Sequence, residues 1–269
     1  MLRSFGATLG NRQVVRHRPL EATFGGSNPS SPAIFVKSMK KIFKNVLITG
    51  GSGGIGSELV KRLVADGAKV FVFDKVSPKE PLAGVEYVEV DVTKGIEVEV
   101  AVKKVESRLG EGGKLGLLVN NAGVMRRGNL FDTSEQDYDF VMDINLKGMW
   151  LVLKYAKPLL VDDATVFLMS SRHGMTVKPD PAIYCLSKHG VWGLAEILKK
   201  TCPEYAVKVA YPGSVDTPLT WVQVKDEDVD AKKKTVVTPE FIAGKIMELI
   251  TGQAEKLVFD EETKEYSLE

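Results

Sequence analysis

The stretch VLITGGSGGIGSEL, residues 46–59, packs five glycines into the seven positions 50–56 directly behind a short apolar run. Glycines in such a place give up backbone order and side-chain packing. NVLIT (45–49) reads as a β-strand. GSELVKRLVADG behind it reads as a helix, with Leu59, Leu63 and Val64 at helical spacing and Gly67 closing it. At a strand–turn–helix junction the helix N-terminus offers unpaired N–H groups and the positive end of the helix dipole. Glycine lets a pyrophosphate approach that backbone and lets the helix pack tightly on its strand. No Gly-Lys-Ser/Thr occurs in the loop, which rules out the usual nucleoside-triphosphate P-loop. Two registers fit: GxGxxG at Gly51, Gly53 and Gly56, and TGxxxGxG at Thr49, Gly50, Gly54 and Gly56. Asp74 ends the following strand, where a dinucleotide-binding unit places an acid about 20 residues on.

The same alternation continues outward. KVFVFD (69–74), VEYVEVD (85–91), LGLLVNN (115–121), TVFLMSS (165–171) and VKVAYPG (207–213) read as strands, and KLVFD (256–260) as an edge strand. GIEVEVAVKKVESRLG reads as a helix by position, although its valines alternate as in a strand. Thr133 and Gln136 form a capping box that opens a long helix through about Leu160, with Asn145 inside it. AIYCLSKHGVWGLAEILKK is a helix, and TPEFIAGKIMELITG another, with Thr238 as N-cap and Pro239 at its first position. The pattern predicts an α/β fold: a single Rossmann-type, doubly wound parallel sheet of about seven strands with helices on both faces.

A chain of 269 residues, 44% hydrophobic, is long enough for one sizeable core. Its net charge of +1 argues against nucleic acid or an anionic membrane as partner, and no uncharged apolar run approaches the ~18 residues that span a bilayer. Cys185 and Cys202 lack the spacing of a disulfide framework or a structural zinc site, and suit a reducing, cytoplasmic setting. Within residues 1–44, eight basic side chains face one acid, Glu21. Residues 1–43 therefore read as a disordered basic extension, either passive or an organelle transit segment, and 44–269 as the folded domain.

The TGxxxGxG register, NNAG at 120–123 and Tyr184-x-x-x-Lys188 together resemble the short-chain dehydrogenase/reductase family, over about residues 44–260. The resemblance implies that Gly50, Gly54 and Gly56 are the glycines that matter, with Gly51 and Gly53 supplying flexibility and space. It implies a nicotinamide cofactor held by Thr49, Gly50, Ser52, Gly54, Ile55 and Gly56. Asp91 would meet the adenine, with Val92 beside it. Asn120, Ala122 and Gly123 would pack on the cofactor, and Pro212, Gly213, Val215 and Thr217 would lie beside the nicotinamide amide and phosphates. An Asp74 carboxylate accepts both ribose hydroxyls and repels a 2′-phosphate, which favours NAD, whereas Lys75 next to it leaves NADP open.

Tyr184 and Lys188 are four apart on a helix and so share a face. A free tyrosine, with pKa ~10, is a poor base near neutrality, and an ammonium one turn away favours the phenolate. Ser171 ends a strand 13 residues before Tyr184, a spacing that resembles the family's, and a hydroxyl there can stabilise a developing alkoxide. Ser170 competes for that role, but strand alternation points it to the other face. Asn145 resembles the family's fourth catalytic residue, which would hold a water for proton relay to Lys188. These residues imply an oxidoreductase transferring hydride between a nicotinamide cofactor and an alcohol/ketone substrate. A sugar epimerase or dehydratase and a non-catalytic NAD(P) sensor are the alternative readings. Arg172, His173, Arg126 and Arg127 raise an acidic or polar substrate against plain surface solvation, and the 219–234 stretch reads as a mobile lid or a solvated helix. No metal site is expected. The resemblance also implies a homodimer or homotetramer through the 133–160 and 182–200 helices.

Overall fold

The computed structural model describes residues 42–222, 224 and 228–269. The import-or-passive reading of the N-terminal extension falls on residues outside that set, apart from Ile42 and Phe43. Phe43 is buried in the main core.

The strands are β1 (Asn45–Thr49), β2 (Lys69–Asp74), β3 (Val85–Glu89), β4 (Leu115–Asn120), β5 (Leu160–Met169), β6 (Ala206–Tyr211), β7 (Lys256–Phe259) and β8 (Tyr266–Leu268). They form one sheet in the order β3-β2-β1-β4-β5-β6-β7-β8. All neighbours pair in parallel except β7 and β8, which form an antiparallel hairpin. The eighth strand is an addition to the expected seven: YSL is too short to carry an alternation signal. Val46–Ile48, Val70–Phe73, Leu117–Val119 and Val166–Leu168 are fully buried, as befits strands covered on both faces.

The helices are α1 (Gly54–Ala65), α2 (Gly95–Leu109), α3 (Glu135–Met142), α4 (Met149–Ala156), α5 (Ala182–Thr201), α6 (Val229–Lys233) and α7 (Pro239–Thr251). Among them α1 packs on α7, α2 on α4 and α3 on α5, and α3, α4 and α5 all meet the segment between α3 and α4. The alternating valines of 95–109 are overridden by burial: Val98, Ala101, Val102 and Val105 form a helical stripe on the core. Thr238 caps α7 by accepting from the Phe241 N–H, as its sequence implies.

Two details correct the sequence reading. The cap of the 135 helix is Ser134, which accepts from the Asp137 N–H, whereas Thr133 turns back to the Asn129 carbonyl. The helical stretch runs unbroken to Leu159, as expected in extent, but it is not one uniform α-helix. A π-helical turn, Asp143–Gly148, separates α3 from α4, and β5 begins at Leu160, five residues earlier than expected. Gly148 allows the turn to lie against Val92, whose Cγ2 would be 2.9 Å from a Cβ at that position. Lys208 of β6 is buried and donates to the carbonyls of Gly252, Gln253 and Ala254, placing its charge at the C-terminal end of α7.

Candidate active site

Strand order reverses between β1 and β4, so a crevice opens past the C-terminal ends of these strands. The glycine loop enters it from β1. Gly50 and Gly54 have φ of +66° and +53°, which side-chain-bearing residues rarely adopt. A Cβ on Gly56 would run into the Gly50 carbonyl oxygen, so this glycine sets how closely α1 approaches the loop. Gly51 does more than supply the flexibility and space expected of it: its Cβ would be 2.8 Å from Val72 and 3.2 Å from Val60. Only Gly53 has open space around it. The first turn of α1 carries no acid and no side-chain cap, so its N–H groups are left for an anion.

Asp74 accepts the Ser52 N–H at 2.9 Å. The Ser52 hydroxyl donates to the Val76 carbonyl, which ties the loop to the segment after β2. Lys75 also lines the crevice and pairs with Asp91 at 3.1 Å. Partial burial works against ionisation of Asp91, but hydrogen bonds from Thr93 and Lys75 hold its carboxyl below the usual range. Past β4, Asn121, Ala122, Gly123 and Val124 line the crevice. Asn120 does not: it is buried and donates to the Met149 carbonyl. Thr49 likewise lies beneath the surface, its hydroxyl accepting the N–H groups of Asn121 and Ala122. Asn121, which the sequence reading passed over, donates to the carbonyls of Thr49 and Gly50 and so joins the two loops.

At the other end, Ser171 stands two residues past β5 and caps a short 3₁₀ turn, Arg172–Gly174. Ser170 points elsewhere and donates to the Lys188 carbonyl, as strand alternation implies. Gly174, another residue the sequence did not single out, lets this turn touch α5: its Cβ would be 2.7 Å from the Lys188 carbonyl oxygen. The close approach brings Ser171 to Tyr184. Burial pushes the Tyr184 phenol up to about 12, with the Ser171 hydroxyl acting in the opposite direction. Burial also pushes Lys188 down to about 7, and its ammonium donates to the Met169 carbonyl at 2.9 Å. Desolvation is the largest influence on both groups, and it acts against the lowering of the tyrosine by its lysine that the sequence suggests.

Asn145 is fully buried in the π-helical turn. Its Oδ1 accepts the Val124 N–H, and its Nδ2 donates to the Val124 carbonyl and the Ser187 hydroxyl. Ser187 in turn donates to the Tyr184 carbonyl. Both amide hydrogens are spent, so Asn145 links the loop after β4 to the helix of Tyr184 and Lys188.

The glycine loop, Asp74, Asp91, Ser171, Tyr184, Lys188, Pro212, Gly213, Val215 and Thr217 line one cavity of about 1330 Å³. That exceeds the roughly 300–1,000 Å³ of a drug-sized pocket. Ile55 and Val92 line it too, whereas Asn145 and Gly56 support it from behind. Its charged lining, Lys188 apart, comes from α1, the last residue of β2 and the segments after β2 and β3. Near Tyr184 the walls are Val124, Phe140 and Leu219, which pack with Met125, Val141 and Ile183 in a second apolar cluster. Arg126, Arg127, Arg172 and His173 are not among the lining residues. The arginines pair with Asp137, Asp180 and Glu261. His173 is driven down to about 4 by burial and Arg172, and its neutral ring meets the Tyr184 ring edge-on at 5.8 Å. Of the expected lid, Pro218–Trp221 forms a 3₁₀ turn and Val229–Lys233 a short helix, while Gln223 and residues 225–227 lie outside the described set. Among the described residues no cluster of side chains could hold a metal, and no helix is long and apolar enough to cross a membrane.

Residues 44–228 match the family model of the short chain dehydrogenases. Oxidoreductase UcpA of Salmonella typhimurium is 35% identical over 189 residues, which cover 65% of this chain and 71% of that protein. Among solved structures, the aldohexose dehydrogenase of Thermoplasma acidophilum superposes with a TM-score of 0.67 at 27% identity, covering 77% of this chain and 87% of that one. A short-chain dehydrogenase/reductase from Serratia marcescens gives 0.69 at 26% identity, covering 78% and 91%.

Proposed function

The chain belongs to the short-chain dehydrogenase family, and from that premise we propose that it is an NAD-dependent oxidoreductase interconverting an alcohol and a ketone. One observation carries the reading. A single cavity has an uncapped, glycine-built helix N-terminus and Asp74 at one end, and Ser171, Tyr184 and Lys188 at the other. These residues fit a dinucleotide: Gly54 and Ile55 would receive its phosphates, Ser52 would shape the loop around them with its N–H and hydroxyl held by Asp74 and Val76, Asp74 would meet the adenosine ribose, and Asp91 and Val92 the adenine. Asp74 and the absence of any basic residue at 50–53 favour NAD over NADP. Lys75 is engaged by Asp91, which supports the same choice.

The nicotinamide, when bound, supplies or accepts the hydride. Tyr184 gives the substrate oxygen a proton in reduction and removes it in oxidation. Ser171 donates a hydrogen bond to that oxygen and stabilises alkoxide character. Lys188, when charged, favours the phenolate. Asn145 keeps the loop after β4 in register with α5 through Val124 and Ser187. The apolar walls near Tyr184 suit an uncharged, largely apolar substrate rather than an acidic one. Exposed Trp150, Leu186, Trp192 and Ile197 on α4 and α5 support a homo-oligomer, dimer or tetramer. Sedimentation tests this, and a monomer at micromolar concentration would refute it.

The test is a steady-state screen of uncharged and carboxylated carbonyl compounds and alcohols with NAD(H) and NADP(H). Turnover of uncharged compounds with NAD(H), abolished by Tyr184→Phe, is the expected result. Failure of the protein to bind either dinucleotide would sink the reading.

A further inference from the structure

The peptide group between Pro212 and Gly213 is held at both of its polar atoms. Its carbonyl accepts the Arg172 N–H at 2.9 Å. Its N–H donates to the hydroxyl oxygen of Tyr266 at 3.1 Å. Tyr266 belongs to β8, which lies beyond the stretch that matches the family model. The hairpin grips this peptide in a second way: a Cβ at Gly213 would be 2.9 Å from the Phe259 ring, so Phe259 lies directly against the glycine. The Phe259 and Tyr266 rings pack 5.1 Å apart, and Phe241 of α7 meets Tyr266 at 5.8 Å. Just past β7, Glu261 reaches Arg172 at 3.5 Å and Lys178 at 3.3 Å. The C-terminal hairpin and the turn that follows Ser171 therefore clamp one peptide between them.

Pro212 and Gly213 line the cavity. We propose that Tyr266 is a positioning residue for the nicotinamide end of the cavity, acting through the Pro212–Gly213 peptide; this rests on the dinucleotide reading above. The mechanism is orientation. With its N–H engaged by the Tyr266 hydroxyl and its carbonyl by Arg172, the peptide plane has one orientation, and the backbone leading to Val215 and Thr217 starts from a fixed point. Without the hydroxyl, the N–H is unpaired and the plane is held only by the Arg172 bond to its carbonyl. The adenosine end, built from the loops after β1, β2 and β3, does not depend on this contact.

Tyr266→Phe removes one oxygen and leaves the ring stack on Phe259 and Phe241. NADH and ADP, which lacks the nicotinamide half, are titrated into the unmodified and variant proteins by calorimetry. NADH should bind the variant about three- to tenfold more weakly, as expected for one lost hydrogen bond. ADP affinity should stay unchanged, and the melting temperature should fall by only the roughly 2–4 °C of one lost hydrogen bond. NADH affinity unchanged in the variant overturns the proposal. So does an equal loss for both ligands, which is general loosening and not positioning. If the unmodified protein binds no NADH, the dinucleotide reading itself fails and the proposal goes with it.

Discussion

The backbone N–H of Ser52 donates to the carboxylate of Asp74 at 2.9 Å across 22 positions of sequence. The acid that would select the cofactor therefore also anchors the glycine loop. Asp74→Ala removes both functions, whereas Asp74→Asn keeps an acceptor for Ser52 and loses only the charge. NADH affinity should fall about tenfold or more in Asp74→Ala, and less in Asp74→Asn. The preference for NADH over NADPH should narrow in both. Fluorescence titration with the two dinucleotides measures this, and equal losses in the two variants would show that the anchoring contact is irrelevant.

Tyr184→Phe should leave NADH affinity nearly unchanged and lower turnover by about 10²–10⁴-fold or more, the loss expected of a positioned acid/base. Steady-state kinetics on any accepted alcohol decides it. A variant retaining a tenth of the original turnover would rule out the phenol as proton carrier.

Lys188→Met should cost activity and raise stability. The ammonium titrates near 10.5 in the unfolded chain and is pushed down to about 7 by burial in the folded one. Between those values the unfolded state binds more protons, so this group's burden on stability is full below about pH 7 and fades as pH rises toward 10.5. The variant's gain in melting temperature, roughly 2–4 °C for each kcal/mol in a chain of this size, should be largest near neutral and acidic pH. Thermal melts across that range test it. A gain that grows toward alkaline pH would contradict the burial argument.

Gly56→Ala should destabilise by about 1–3 kcal/mol or more, since the new methyl meets backbone and not a movable side chain. Gly51→Ala should destabilise less, because Val72 and Val60 can shift. Gly53→Ala should be nearly neutral: its φ of −160° is extended backbone open to any residue, and no heavy atom lies within 4 Å of the new Cβ. Chemical denaturation of the three variants gives the order, and a Gly53→Ala protein as unstable as Gly56→Ala would refute it.

Motif-bearing parts of the site were legible because they rest on local chemistry. The glycine loop, Asp74, Ser171, Tyr184 and Lys188 each lie where a strand ends or one turn along a helix, and it was their resemblance to the family's motifs that singled them out. What escaped depends on distant partners or near-equivalent neighbours. Thr133 and Ser134 are both good caps, and only the chain's turn at Asn129 decides between them. Asn120 and Asn121 are identical in type, and the last pleat of β4 sends the first inward. The π-helical turn around Asn145 has no periodic signature of its own. Tyr266 lies 53 positions from Gly213, in a segment too short to announce itself as a strand.

The parallel sheet also has a second edge. Every helix-to-strand return after α1 arrives there, and the turn between α2 and β4 is built from Gly110 and Gly112, both at positive φ, around an exposed Glu111. A dye or affinity handle tethered at Glu111 would hang from the end of the sheet opposite the cavity. Such a handle gives immobilisation and labelling chemistry a place to act while the crevice at the other end keeps its mouth clear.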